Sequence, residues 1–374
     1  MKKTYLLSAF VILPLLVSGC SISLNTGGNT GGSQERSADV GGLFVSGSRG
    51  DSWNQLAYGP TISGSPKNYT GLSATAIAAD PQDSKAVYLG TASHGLLYTY
   101  NVNNGWLPAE GLPQAAITDV AVDPKDRCTI YAAIANRLYR SSDCSRTFQQ
   151  VYIDSNGTVV ITSIAIDHYN SGNIYVGTSR GDIIKSIDQG ESWRAISRLE
   201  GDSVAKLLIS PLDSRLIFVA SARNRLYSFR SNTVTDPANS GDIEANFAVL
   251  GWQDLSGPIK DFEIGNKFRG LVSAADGTLF LSSEKAIVRS RDNGIGWEKL
   301  ELVAPEKDAE INAIAVAPAS ANEIYYVTDS TFFRSTDGGA TWTAKKLPSS
   351  RAGAVLLVDR DRPNVVYLGL KSIN

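Results

Sequence analysis

The chain repeats one short phrase at fixed spacing, and no feature of it constrains the fold more. Arg334–Trp342 reads RSTDGGATW, which fits Ser-x-Asp-x-Gly-x-x-Trp through Ser335, Asp337, Gly339 and Trp342. The spacing returns as Ser186, Asp188, Gly190 and Trp193, and as Ser290, Asp292, Gly294 and Trp297. Weaker copies keep the frame: Ser46, Ser48, Gly50, Trp53; Thr99, Asn101, Asn103, Trp106; and Ser141, Asp143, Ser145, Phe148. A short strand is predicted to end at the Ser, with the Asp carboxylate accepting backbone N–H groups of the turn that follows. The Gly supplies a backbone angle that other residues avoid, and the Trp opens the next strand and buries a large ring.

A second phrase interleaves with the first: apolar-x-x-apolar-Ala-apolar-Asp-Pro, a polar stretch, then apolar-Tyr-apolar-Gly-Thr. Copies occupy Thr75–Thr91, Ile117–Ile134, Ile161–Thr178, Val204–Ser221, Ile311–Thr328 and Gly353–Gly369, with a diverged one at Ile259–Ser282. Alternation and β-branched residues make each copy a strand, a turn and a strand. With two strands from the first phrase, the unit is a four-stranded blade of about 43 residues. The last copy has no first phrase after it, and Gly42–Leu56 carries the first phrase with no second phrase before it. The two fragments complete one another, which avoids unpaired sheet edges. The expected fold is all-β: a seven-bladed β-propeller of four-stranded antiparallel blades, closed by N-terminal strands that complete the C-terminal blade. The expected blades are 73–110, 117–152, 161–198, 203–255, 259–301, 310–347, and 353–371 with 41–57. Ser231–Asn246 replaces the fourth blade's box.

The first phrase resembles the Asp-box (BNR) repeat of sialidases, sortilin-type receptors, xyloglucan-cleaving glycosidases and photosystem II assembly-factor propellers. That resemblance covers residues 41–371 and implies a structural role for Asp188, Asp292 and Asp337 on the blade periphery. It also implies that the loops between strands two and three gather with the inter-blade loops on one face. Such a rim would carry His94, Arg137, Arg180, Asp182, Arg223, Arg225, Lys285, Asp329 and Lys371. Six of these nine are Arg or Lys, a basic collar suited to carboxylates or other anionic groups.

The N-terminus carries an address. Lys2 and Lys3 precede the apolar run Leu6–Val17, which is too short to span a bilayer comfortably. Val17-Ser18-Gly19-Cys20 resembles a bacterial lipobox, implying cleavage before Cys20 and lipidation of its thiol. Residues 1–20 are thus expected to be a lipoprotein signal peptide and 21–38, polar and Gly-rich, a flexible tether. Residues 39–374 form the propeller. Ser21 following the Cys fits an outer-membrane or cell-surface location outside the cytoplasm.

Two cysteines remain, Cys128 and Cys144. They flank the expected hairpin Thr129–Ser142, and an exported protein can oxidise them. Formal net charge is −2 with two histidines, so no strong field draws the chain to nucleic acid. No Cys/His spacing suits a metal, and no phosphate or dinucleotide motif indicates a cofactor. A sialidase would need clustered arginines with a Tyr–Glu pair and an acid, and a xyloglucan-type hydrolase two carboxylates across a cleft. Asp182 and Asp329 are candidate rim acids, but nothing pairs them in sequence. A membrane-anchored binding or assembly propeller, presenting its loop face to a protein or glycan, is therefore the primary expectation. A glycoside hydrolase is the alternative.

Overall fold

In the computed structural model the described residues are 40–61, 64–231, 247–303 and 310–373. The expected signal peptide with Cys20, the tether 21–38 and residues 232–246 of the fourth-blade insertion lie outside them. The described residues belong to the unit Arg36–Asn374.

Seven four-stranded sheets follow one another along this unit. Blade 1 holds Ala74–Ala79, Val87–Thr91, Leu96–Thr99 and Leu107–Pro108. Blade 2 holds Ile117–Val122, Ile130–Ile134, Arg137–Ser141 and Gln149–Ile153. Blade 3 holds Ile161–Ile166, Ile174–Thr178, Asp182–Ser186 and Arg194–Arg198. Blade 4 holds Val204–Ile209, Leu216–Ser221, Leu226–Ser231 and Val249–Asp254. Blade 5 holds Phe268–Ser273, Leu279–Ser283, Ile287–Ser290 and Glu298–Lys299. Blade 6 holds Ala313–Ala317, Ser320–Val327, Thr331–Ser335 and Thr343–Lys346.

Blade 7 joins the two ends of the described chain. Ala352–Val358 pairs with Val366–Lys371, which pairs with Leu43–Ser46, and Asn54–Leu56 is outermost. The register sets Leu43 opposite Gly369 and Ser46 opposite Val366. Each blade's first strand packs beside the first strand of the next, including blade 7 beside blade 1, so the ring closes as a seven-bladed propeller.

The core is divided among the blade interfaces. Seven apolar clusters are present among the described residues, one in each gap between neighbouring sheets. Second strands are sandwiched on both faces, which is why they read as near-continuous apolar runs: Val87–Thr91, Ile130–Ile134 and Ile174–Thr178 are buried throughout. Gly177 shows why the phrase ends in Gly-Thr, since a Cβ there would fall 2.4 Å from a Val204 methyl of the next blade.

The repeated turns fold as their side chains dictate. In blade 6 the Ser335 hydroxyl donates to Asp337 Oδ1 at 2.8 Å and accepts the Gly339 N–H at 2.8 Å. Asp337 in turn accepts the Thr341 N–H at 2.9 Å. Blades 3 and 5 repeat this with Ser186, Asp188 and Gly190, and with Ser290, Asp292 and Gly294. Gly339 sits at φ 90°, and the residue before it, Gly338, is also left-handed at 74°. Blade 2 keeps the bonds through Ser141, Asp143 and Ser145. Blade 7 keeps them with Ser48 substituting for the acid.

Three expectations need correction. Blade 5 does not begin at Ile259: Gly257–Lys260 is a short helix, and the first strand starts at Phe268. Pro258 sits in that helix's first turn, and Ile259 and Ile264 pack in the gap between blades 4 and 5. Asn101 does not build a box turn, because Val102–Asn104 forms a 3₁₀ turn that Asn101 caps. The rings of Trp193, Trp297 and Trp342 are half-buried rather than buried. Two of them lock sheets together: Trp193 Nε1 donates to Val151 O of blade 2 at 3.0 Å, and Trp342 Nε1 to Glu301 O after blade 5 at 2.9 Å.

The channel wall is stitched unevenly. Thr118 Oγ1 donates to Ile161 O at 2.6 Å, and Ile164 N–H to Asp119 at 2.9 Å. One blade on, Thr162 Oγ1 donates to Val204 O at 2.6 Å and Leu207 N–H to Ser163 at 2.9 Å. The equivalent positions facing blade 5 are Ala205 and Lys206, which have neither hydroxyl nor acceptor.

Candidate functional site

The Thr or Ser that ends the second strand of blades 1, 3, 4 and 5 shapes one face. Thr91 accepts the His94 N–H, Thr178 the Asp182 N–H, Ser221 those of Arg223 and Arg225, and Ser283 that of Lys285. Inter-blade connections lie against these hairpin turns: Asp154 N–H donates to Asn136 O and Leu199 N–H to Gly181 O, each at 2.9 Å. Together they form a rim around one channel mouth. The box turns share the other face with the turns joining strands one and two, as the Gln189 N–H to Gly172 O bond shows.

Charge on the rim is concentrated at blades 2 to 4. Arg180 Nε donates to Asp182 at 2.6 Å and its Nη2 to Asp154 at 2.9 Å. Arg198 Nε reaches the other Asp182 oxygen at 2.5 Å. Next to this array, Arg225 Nη2 pairs with Asp202 at 3.1 Å. The three carboxylates are buried, at 3–4% side-chain exposure, while Arg180 and Arg198 stay 38% and 47% exposed. Burial alone would raise the Asp182 pKa, but hydrogen bonds from Arg198 and then Arg180 outweigh it and hold the carboxyl below its ordinary value. Asp182 is therefore an ionised anchor, not a proton donor at neutral pH.

This changes the picture of a basic collar. Arg180 and Arg225 arrive at the rim with their charge matched, and what they expose is fixed guanidinium faces. Arg137, Arg223 and Lys285 are exposed and make no ion pair among the described residues. Asp329 lies apart from Asp182, on blade 6, and accepts the Asn312 amide at 2.7 Å. His94 lines a cavity of about 240 Å³ with Pro108, Glu110, Leu112 and Gln114. Lys371 ends blade 7's second strand. Asp154 and Arg198, which complete the array, and Asp202 beside it were absent from the sequence expectation. The signal was an acid in the connection before each Arg-bearing turn.

Inside the channel, Lys206 Nζ reaches across blade 3 to Asp119 at 3.1 Å. The opposite mouth has a different character: Pro81, Pro124, Ile166, Ile209 and Pro211 surround about 360 Å³. On that face Cys128 and Cys144 are disulfide-bonded. Among the described residues no group of three or more His, Cys, Asp or Glu gathers as a metal site. None of their helices is long and apolar enough to cross a membrane.

No family model matches the chain, and no curated protein does. Solved structures do. The GH74 xyloglucanase from Xanthomonas campestris superposes with a TM-score of 0.64 at 15% identity, over 86% of this chain and 52% of that one. YCF48 bound to D1 peptide gives 0.56 at 15% identity, over 80% and 93%. The extracellular domain of the one component system candidate BT4673 from B. thetaiotaomicron gives 0.58 at 15% identity, over 86% and 44%. The chain thus spans about half the length of the xyloglucanase. These likenesses are of fold.

Proposed function

We propose that this chain is a lipid-anchored, extracytoplasmic propeller of the Asp-box type that binds or assembles a partner through its rim. The anchor is Cys20 and the propeller 39–374. The partner is a protein or a glycan, and no cofactor, metal or nucleic acid is involved.

The observation that carries the reading is the array of Asp154, Arg180, Asp182 and Arg198. Buried carboxylates hold two half-exposed guanidinium groups in fixed orientations, so little side-chain freedom is lost when a ligand docks on them. Because the charge is matched, recognition rests on directed hydrogen bonds and stacking rather than long-range attraction. Arg223, exposed and without an ion pair among the described residues, adds local positive character beside Arg225. The YCF48 likeness, with its D1 peptide, agrees with a protein partner.

Changing Arg180, Arg223 and Arg225 together to Ala tests this. The variant is expected to fold, with an unchanged circular dichroism spectrum, and to lose partner capture in a crosslinking pull-down. Capture at the wild-type level would refute it.

The GH74 likenesses favour one alternative, a glycoside hydrolase. It needs an acid free to protonate a leaving group, and Asp182 is engaged on both oxygens by arginine. Sugar release from a glycoside panel, lost in Asp182→Asn or Asp329→Asn, would establish hydrolysis.

A further inference from the structure

We infer that Asn156 is a self-modifying residue: its side-chain amide is lost to water through an imide formed with Gly157, which sets a new carboxylate beside the rim array. The chemistry needs no partner, so its failure and that of the proposed binding are separate.

Asn followed by Gly occurs three times in the chain, at Asn104, Asn156 and Asn293. The glycine matters because its backbone nitrogen is the nucleophile, and no Cβ shields it. Two of the three are held shut. Gly294 N–H is buried and donates to Ser290 Oγ at 2.8 Å. Asn104 closes the 3₁₀ turn Val102–Asn104, and a Cβ on the following Gly105 would fall 2.5 Å from Tyr58 O. At the third, Asn156 and Gly157 are both exposed. The Gly157 N–H has no acceptor among the described residues, and a Cβ there would meet nothing within 4 Å.

The reacting amide is also primed. Thr158 donates its backbone N–H at 3.0 Å and its hydroxyl at 2.8 Å to Asn156 Oδ1. Negative charge gathers on that oxygen when the Gly157 nitrogen adds to Cγ, so two donors already face the tetrahedral intermediate. Gly157 N gives its proton to solvent hydroxide and bonds to Cγ. The intermediate expels Nδ2, which takes a proton from water and leaves as ammonia. Water then opens the five-membered imide: breaking the new N–Cγ bond gives aspartate, and breaking the backbone C–N bond gives isoaspartate. The net change is amide plus water to carboxylate plus ammonium.

The consequence falls on the array. Asp154 Oδ1 accepts the Asn156 N–H at 2.9 Å and lies 3.5 Å from Arg180 Nη1. Asp154 and Asp182 are matched there by Arg180 and Arg198, so one added carboxylate leaves this part of the rim net negative. Isoaspartate also lengthens the turn that the Val159 N–H to Asn156 O bond closes at 3.1 Å.

The purified chain, incubated at pH 8 and mapped by proteolysis and mass spectrometry, tests the assignment. Conversion to acid at Asn156 should run at least tenfold faster than at Asn104 or Asn293, and the product should carry heavy oxygen when the water is labelled. A rate no faster than at the other two overturns the inference. In guanidinium chloride the three rates should converge; a lead for Asn156 that survives unfolding would overturn its structural cause. Thr158→Val, which keeps the N–H and removes the hydroxyl, should slow conversion at least threefold with an unchanged circular dichroism spectrum, and an unchanged rate would overturn the part given to Thr158.

Discussion

Cys144 donates its backbone N–H to the Cys128 carbonyl at 3.1 Å, so the disulfide between them doubles a contact the chain already makes. Other blades use the hydrogen bond alone: Gln189 to Gly172, Gly338 to Asn322 and Arg49 to Asn364. Blade 2 is where the covalent brace stands, and it is the box that lacks both Gly and Trp. The bridge closes a sequence separation of 16, worth about 3 kcal/mol on the chain-entropy account. The Cys128→Ser/Cys144→Ser protein should lose about that much in denaturant-unfolding free energy, and a loss near zero would contradict the bracing role.

Ser145 explains why a brace is useful. It holds φ 66° immediately after Cys144 at 59°, a left-handed pair without glycine. Ser145→Gly should stabilise the oxidised protein by about 1 kcal/mol, because the N–H to Ser141 that defines the turn is kept. Chemical denaturation checks it, and a destabilised variant would show that the side chain matters more than the backbone angle.

The channel wall between blades 4 and 5 can be restitched. Ala205 occupies the place of Thr118 and Thr162, whose hydroxyls bond the next blade's first carbonyl. Ala205→Thr should gain about 0.5–1 kcal/mol and slow amide exchange in Val204–Ile209. Unchanged exchange there would mean the hydroxyl finds no partner.

Acid should loosen the box turns over a defined window. The Asp337 pKa is lowered to about 2 by the Thr341 hydroxyl, then the Thr341 N–H and Ser335, and Asp143 is lowered to about 2 chiefly by Thr147. A carboxylate with a depressed folded-state pKa stabilises fully above its unfolded value near 4. That contribution is lost as pH falls through about 2. The melting temperature should drop between pH 4 and pH 2, and Asp337→Asn should flatten part of the drop. A parent protein with a level profile across that window would count against the turns as its acid-sensitive parts.

Most of the architecture could be read from the chain because each blade restates the same local chemistry. A Ser or Thr closes a strand, an Asp collects N–H groups, and a run of apolar residues is buried on two faces. Where restatement stopped, reading failed. Phe262 and Ile264 are two apart, as in a strand, but Ile259 is three before Phe262, and Ser256-Gly257-Pro258 before them suits a helix start. The rim array was only half visible. Arg180 stands inside a repeated turn, whereas Asp154 pairs with it across 26 residues, from a connection whose composition the repeat does not govern. Arg198 sits on an exposed outer strand, where nothing in the pattern separates a pinned guanidinium from a solvated one.

Blade 7 has a consequence for biogenesis. Leu43–Ser46 can pair with Asn54–Leu56 as soon as both are made, but its other neighbour, Val366–Lys371, comes last, so one edge of the earliest-made strand of the wheel stays open until the end of the chain is delivered. The circle cannot be completed piecemeal during synthesis. A permuted gene whose new termini fall between two intact sheets would free that strand from waiting, and its refolding should outpace that of the parent.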